Sequence, residues 1–99
     1  MMTTILIVDD EAGTLLLLRS LFKSNGYAVK TAGDGASALE IIKAGGVDIT
    51  VTDQRMEPMD GMALFHEIRK AATMMPVIML TGYASIEMAI DAMKSGVFD

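Results

Sequence analysis

Ile5-Leu6-Ile7-Val8-Asp9-Asp10, at residues 5–10, is a short apolar run that ends in two carboxylates. A continuous apolar run is typical of a strand buried on both faces, because a half-exposed strand alternates apolar and polar residues. Comparable runs recur at 27–32, 47–53 and 76–81, each with glycine beside at least one end. The sequence therefore predicts four strands.

The segments between and after these strands show the three- and four-residue apolar spacing of amphipathic helices. Asn25-Gly26, Gly45 and Gly96 mark the ends of the first, second and fourth of these helices, and Ser85 is a candidate N-cap for the fourth. The apolar positions, helix by helix, are Leu15, Leu18, Leu21 and Phe22; Ala38, Leu39 and Ile42; Leu64, Phe65 and Ile68; and Ile86, Ala89, Ile90 and Met93.

Alternation of strands with helices predicts an α/β fold, a doubly wound parallel sheet with helices on both faces. The 99 residues suit one domain, spanning 1–99. The last strand and helix pair ends at Gly96, and Val97-Phe98-Asp99 has the character of the approach to a fifth strand. We therefore expect this domain to be C-terminally incomplete, as part of a longer protein.

Composition excludes several classes of function. The formal net charge is −5, so we expect no direct contact with nucleic acid, and the absence of cysteine excludes disulfides, thiolate catalysis and cysteine-based metal sites. The longest uncharged stretch, 71–86, is shorter than a membrane-spanning helix and contains Pro76 and Gly82. We expect a cytoplasmic protein without a membrane partner, in which most of the ten methionines fill the core.

Polar residues follow three of the predicted strands. Asp9 and Asp10 end the first strand, Asp53 ends the third and Thr81 ends the fourth. In an open α/β sheet, ligands bind beyond the carboxyl ends of the strands, at the point where strand order reverses. We therefore expect these four side chains to converge on one edge of the sheet.

Carboxylates that converge repel one another, so at least one would hold a proton at raised pKa unless a cation were bound. Oxygen ligands with room for water favour Mg²⁺, with Mn²⁺ as the substitute, and the spacing from Asp53 to Glu67 does not match an EF-hand calcium loop. A carboxylate beside such an ion can act as a nucleophile toward phosphorus. Asp53 is the candidate nucleophile, because Asp9 and Asp10 are adjacent and suited to hold the ion from one side.

The sequence as a whole resembles the receiver domain of two-component response regulators and is similar to the chemotaxis receiver. The resemblance spans the supplied chain and rests on the segments 5–11, 51–56, 59–61 and 77–82. The sequence from Thr81 to Gly96 is most similar to that of receivers of transcription regulators of the nitrogen-regulation type.

This resemblance implies a flavodoxin-like sheet of order 2-1-3-4-5, with Asp53 accepting a phosphoryl group from a sensor histidine kinase. It implies that Asp10 binds Mg²⁺ directly, that Asp9 acts mainly through water, and that the backbone carbonyl of Arg55 supplies another oxygen. Thr81 would hydrogen-bond the phosphoryl oxygen and move inward on activation. The resulting switch would change binding to an effector domain or a downstream protein.

The chain departs from the family pattern at two places. Met56-Glu57-Pro58 stands where the family usually has Met-Pro-Gly, which puts Glu57 near the site as a secondary candidate. This acid either intrudes on the metal or faces solvent, and we expect it to face solvent. The family's lysine, fifth strand and fifth helix lie beyond the last residue, and Lys94 is better explained as a solvated helix charge. An uncovered fourth strand would be an exposed edge, so homodimerisation is expected if the chain is complete.

Other interpretations remain open beside this one. Arg55 and Tyr83 stand at positions where the family tunes the lifetime of the phosphoryl group, so they are secondary candidates. A receiver fold that serves as a phosphorylation-independent interaction module is the main alternative. Gly33-Asp34-Gly35 lacks the spacing of a dinucleotide motif, and His66 and the leucine run at 15–18 are better explained as an exposed helical residue and a core segment.

Overall fold

A computed structural model of the chain describes residues 2–80. The described elements are β1 (Thr4–Val8), α1 (Ala12–Ser24), β2 (Ala28–Ala32), α2 (Gly35–Ala44), β3 (Ile49–Asp53), α3 (Gly61–Ala71) and β4 (Val77–Leu80). The predicted strands are thus present with ends shifted by one or two residues. The predicted fourth helix, with Ser85, Lys94 and Gly96, lies outside the described residues, as do Thr81 and Tyr83.

The strands form one parallel sheet in the order β2-β1-β3-β4. β1 pairs with β2 from Thr4↔Ala28 to Val8↔Ala32, and with β3 from Ile5↔Ile49 to Val8↔Thr52. The chain therefore leaves β1 toward one side of the sheet and returns to add β3 on the other. The carboxyl ends of β1 and β3 are the point where strand order reverses, and the predicted doubly wound, flavodoxin-like fold is confirmed.

Both faces of the sheet are covered by apolar side chains, which explains the unbroken apolar run of β1. Ile5 and Ile7 pack with Leu18 and Phe22 of α1 on one face. Leu6 and Val8 face the opposite way, because successive strand residues alternate in direction, and pack in the layer that α2 and α3 cover. All four of these β1 side chains are at most 1% exposed, so the strand lies at the centre of the core.

The first two helices end at the predicted glycine signals. The structure also shows two N-caps that were not predicted. Gly26 and Gly45 have φ of 92° and 88°, a left-handed backbone that glycine adopts without strain, just after α1 and at the end of α2. Asp34 caps α2 by accepting a hydrogen bond from Ser37 N at 2.7 Å, and Asp60 caps α3 in the same way from Ala63 N at 2.8 Å.

The leucine run at 15–18 is only half explained by core packing. Leu18 is buried and Leu15 packs against the core, but Leu16 and Leu17 are 64% and 45% exposed. The interpretation of the whole run as a core segment is therefore wrong, since four consecutive helical residues span more than the buried face. The methionine prediction also holds in part: Met56 is buried, whereas Met74 is 89% exposed.

Candidate functional site

Three carboxylates meet at the carboxyl ends of β1 and β3. Asp9 and Asp10 follow the last residue of β1, Asp53 is the last residue of β3, and one oxygen from each lies within 4.8 Å of the other two. Asp9 is buried at 6% exposure, Asp53 is half-buried and Asp10 is exposed. The cluster therefore runs from the protein interior out to solvent, with Asp53 at intermediate depth.

The Asp9 carboxyl group has a raised pKa in this arrangement. Burial raises its pKa above the ordinary aspartate value, and the charges of Asp53, Asp10 and Glu11 raise it further. A hydrogen bond from Glu11 N to the Asp9 carboxylate, at 2.9 Å, opposes the increase. The predicted rise of one carboxyl pKa is confirmed, but its largest cause is loss of water around Asp9, not repulsion by its neighbours.

The segment between β3 and α3 forms a loop whose two ends are hydrogen-bonded to each other through Gln54. Gln54 N donates to Leu80 O of β4 at 3.4 Å, Gln54 O accepts from Gly61 N at 3.0 Å, and Gln54 Oε1 accepts from Met62 N at 2.9 Å. The residue after Asp53 is therefore tied both to the neighbouring strand and to the first turn of α3. These contacts fix the backbone on the carboxyl side of Asp53.

Gly61 allows this close approach. A Cβ at Gly61 would lie 2.6 Å from Asp53 O and 2.9 Å from both Gln54 Cα and Gln54 Oε1. Such distances are well inside van der Waals contact. A side chain at Gly61 is therefore incompatible with the present position of the end of β3.

Arg55 and Glu57 both lie on the segment between Gln54 and Gly61, and both are exposed. The prediction that Glu57 faces solvent is thus consistent with its exposure. Of the four side chains predicted to converge, the structure brings together Asp9, Asp10 and Asp53, and the fourth, Thr81, is outside the described residues.

The glycine motif at 33–35 forms a helix cap. The Asp34 carboxylate accepts from Ser37 N, and this hydrogen bond lowers the Asp34 pKa below its ordinary value. Because a carboxylate already occupies this N-terminus of α2, the geometry does not favour a bound phosphate there. This supports the earlier rejection of a nucleotide fold.

Comparison with known proteins agrees with this geometry. The family model described as the response regulator receiver domain matches residues 5–99. The chain belongs to the response regulator receiver domain family. The resemblance noted in the sequence is therefore confirmed.

Relatives and solved structures place this receiver domain more closely. It is 47% identical over 94 residues to transcriptional regulatory protein GlrR of Escherichia coli strain K12, an alignment covering 95% of this chain and 21% of GlrR. It is 38% identical over 95 residues to ZraR of the same strain, covering 96% of this chain and 22% of ZraR. The chain thus spans about a fifth of these curated relatives, which are named as transcriptional regulators.

Among solved structures, a response regulator receiver domain protein from Clostridium thermocellum superposes with a TM-score of 0.78 at 35% identity, covering 97% of this chain and 78% of that chain. Response regulator protein TrrA, solved in complex with histidine kinase ThkA, gives a TM-score of 0.77 at 35% identity, with 83% and 71% covered. Within residues 2–80, no helix of this receiver domain is long and apolar enough to cross a membrane.

The sequence did not predict Gln54 and Gly61 as part of this site. A glutamine just after a strand has the composition of an ordinary loop, and a glycine before a helical pattern has many explanations. The Asp60 cap had a usable signal, an aspartate directly before the apolar spacing of α3. The contacts of Gln54 depend on the return of the chain after eight residues, which no local pattern records.

Proposed function

We propose that this receiver domain accepts a phosphoryl group at Asp53, in a Mg²⁺-dependent transfer from a sensor histidine kinase. The observation that carries the proposal is the meeting of the Asp9, Asp10 and Asp53 carboxylates within 4.8 Å at the strand-order reversal. A purely structural role would not call for three such charges side by side, one of them buried. The half-buried depth of Asp53 leaves its carboxylate accessible to an incoming donor.

The donor set fits a hard divalent cation. The cluster offers carboxylate oxygens only, which suit Mg²⁺ or Mn²⁺ and not a softer metal. Asp9, Asp10, Asp53 and the backbone carbonyl of Arg55 would hold the ion, with Asp10 in direct contact and Asp9 mainly through water. When bound, it would offset negative charge on the attacking carboxylate and on the phosphoryl oxygens.

Asp53 then supplies the nucleophile. One carboxylate oxygen of Asp53 forms a bond to phosphorus while the bond from phosphorus to the donor histidine nitrogen breaks, and that nitrogen keeps the electron pair and takes a proton from solvent water. In-line approach matters most for such a loose transition state, because positioning supplies much of the rate enhancement. The hydrogen bonds of Gln54 and the pairing of β3 hold the Asp53 backbone still for this step.

Residues outside or at the rim of the described site complete the proposal. Thr81 would donate a hydrogen bond to the phosphoryl oxygen and act as the switch, and Tyr83 and Arg55 would set the lifetime of the acyl phosphate. Glu57 is exposed, so it would influence how the phosphoryl donor approaches the site and would not contact the ion.

The output of the switch is a change in partner binding. The complex of TrrA with histidine kinase ThkA supports a kinase as one partner of this chain. The greater length of GlrR and ZraR supports an effector domain as another. A cytoplasmic location follows from this scheme and is part of the proposal.

Intact mass spectrometry tests the proposal. The chain is incubated with Mg²⁺ and phosphoramidate, a small donor whose phosphorus–nitrogen bond resembles that of phosphohistidine, and the Asp53→Asn variant is the matched control. We expect one phosphoryl group on the parent, removal of the adduct at alkaline pH, no adduct on Asp53→Asn, and no labelling without the ion. Labelling of Asp53→Asn would refute Asp53 as acceptor, and a folded, Mg²⁺-binding parent that stays unlabelled would favour the phosphorylation-independent interaction module.

A further inference from the structure

Gln54 makes two of the hydrogen bonds that close the first turn of α3. The first turn of any helix has backbone N–H groups without a partner inside the helix, and nearby side chains or loops normally satisfy them. In α3, Gly61 N donates to the Gln54 carbonyl at 3.0 Å and Met62 N donates to Gln54 Oε1 at 2.9 Å. Asp60 satisfies the next N–H, that of Ala63, at 2.8 Å.

The two caps differ in what they hold. Asp60 is the residue that precedes α3, so its hydrogen bond is local to the helix. Gln54 is the residue that follows Asp53, so its two bonds join the helix to the end of β3 across seven and eight residues. The backbone N–H of Gln54 also donates to Leu80 O at 3.4 Å, which ties the same residue to β4.

We propose that Gln54 is a positioning residue for phosphoryl transfer to Asp53. Its side-chain oxygen, by accepting from Met62 N, holds the backbone that follows Asp53 against α3 and keeps the carboxylate in line with the donor. The inference rests on the proposed function of Asp53. Gln54 touches neither the donor nor the ion, so it acts through the backbone of Asp53 and Arg55.

Loss of this contact should slow the chemistry without removing the nucleophile. A misplacement of a reacting group by about 1 Å can cost about a hundredfold in rate, and we expect the smaller shift from loss of this contact to cost about tenfold. Asp9 and Asp10 directly follow the separate strand β1, so their carboxylates should stay in place. Donor binding should therefore stay as in the parent, and saturating Mg²⁺ compensates for any weaker hold on the ion by Asp53 and the Arg55 carbonyl.

Three variants of the 99-residue chain separate this role from simple support of the helix. Gln54→Met keeps the length of the side chain but removes the acceptor oxygen. Gln54→Glu keeps an acceptor for Met62 N, and its charge is favoured at a helix N-terminus. Asp60→Ala removes the other side-chain cap from the same turn without touching the residue next to Asp53.

The measurement is the rate of phosphoramidate labelling by intact mass, at saturating Mg²⁺ and over a range of donor concentration. We expect Gln54→Met to lower the maximal rate by about tenfold with the half-saturating donor concentration unchanged. We expect Gln54→Glu and Asp60→Ala to stay within about twofold of the parent, since neither loses the acceptor at residue 54. Amide hydrogen exchange should be faster at Met62 in Gln54→Met only.

Two results would overturn the positioning role. One is a Gln54→Met chain that is labelled as fast as the parent, and the other is an equal loss of rate in Asp60→Ala, which would mean that helix stability alone matters. A parent chain that takes no phosphoryl group would instead refute the proposed function and this role with it. Amide exchange at Met62 would still show in that case whether the contact forms.

Discussion

Gly61→Ala should destabilise this domain and disturb Asp53 together. The new methyl group would meet Asp53 O at 2.6 Å and Gln54 Cα at 2.9 Å. These are backbone atoms, so the contacts cannot be relieved by rotating a side chain. The φ of Gly61 lies outside the left-handed range, which means that the cost comes from packing and not from backbone strain.

The magnitude follows from two opposing effects. Overpacking of this kind costs about 1–3 kcal/mol, and replacing glycine by alanine in a helix returns at most about 1 kcal/mol. Because the close atoms are backbone, we expect an overpacking cost at the upper end, about 2–3 kcal/mol, and a net loss in the free energy of unfolding of about 1–2 kcal/mol. Gly13→Ala in α1 is the matched control, because a Cβ there meets no atom within 4 Å, so only the helical gain remains.

Urea denaturation of both variants gives the comparison, with the slope of the transition checked for a change in the unfolded state. We expect Gly13→Ala to be neutral or slightly stabilising and Gly61→Ala to unfold at lower urea. We also expect slower labelling at Asp53 in Gly61→Ala at saturating Mg²⁺. Equal stability of the two variants, or a Gly61→Ala chain that is labelled at the parent rate, would refute the packing argument.

Three further predictions concern the core and the acidic cluster. Among the described residues, the buried hydroxyl of Thr50 has no hydrogen-bond partner, so Thr50→Val should raise the free energy of unfolding by about 1 kcal/mol. Thr52→Val should lower it, because the Thr52 hydroxyl donates a 3.0 Å hydrogen bond to Asp53 O that valine cannot make. Urea midpoints that fall for both variants would contradict this prediction. Because its pKa is raised, Asp9 holds its proton to higher pH in the folded than in the unfolded chain, so the stability of the metal-free protein should fall as pH rises through the folded pKa. Asp9→Asn, measured in parallel by urea titration, should not show this fall. The affinity of the parent for Mg²⁺ should weaken as pH drops through the same range. Leu6→Ala, at a fully buried position, should lower the free energy of unfolding by about 2–5 kcal/mol. Leu16→Ala, on the exposed face of α1, should lower it by less than about 0.5 kcal/mol. Equal losses of stability in thermal unfolding would mean that the outer face of α1 is covered.

The fold could be predicted because its two central strands, β1 and β3, are buried on both faces. The run at 5–8 has no polar residue, which a parallel sheet between two helical layers requires and a half-exposed sheet does not. The strand ends then predicted the site, since parallel neighbours bring their carboxyl ends to one edge. Asp9, Asp10 and Asp53 met there for that reason, without any signal from the loops between them.

Side-chain burial within a helix was less predictable. A leucine favours burial wherever the fold allows it, so the run at 15–18 carried no local sign that Leu16 and Leu17 would be exposed. Their exposure follows from geometry, because consecutive helical residues point about 100° apart and the sheet covers one side of α1 only. Periodicity therefore located the helix correctly and overestimated how much of it lies in the core.

The acidic cluster departs from the general rule that a buried charge is paired or neutralised. Asp9 is almost fully buried beside two other carboxylates, and the described structure gives its side chain one hydrogen bond, from Glu11 N. The two apolar layers around β1 provide the stability that offsets this cost, since they fix the strand whose end carries Asp9. Removing the charge should therefore stabilise the metal-free domain while weakening its affinity for Mg²⁺, which is the opposition expected when a charge serves ligand binding at the expense of stability.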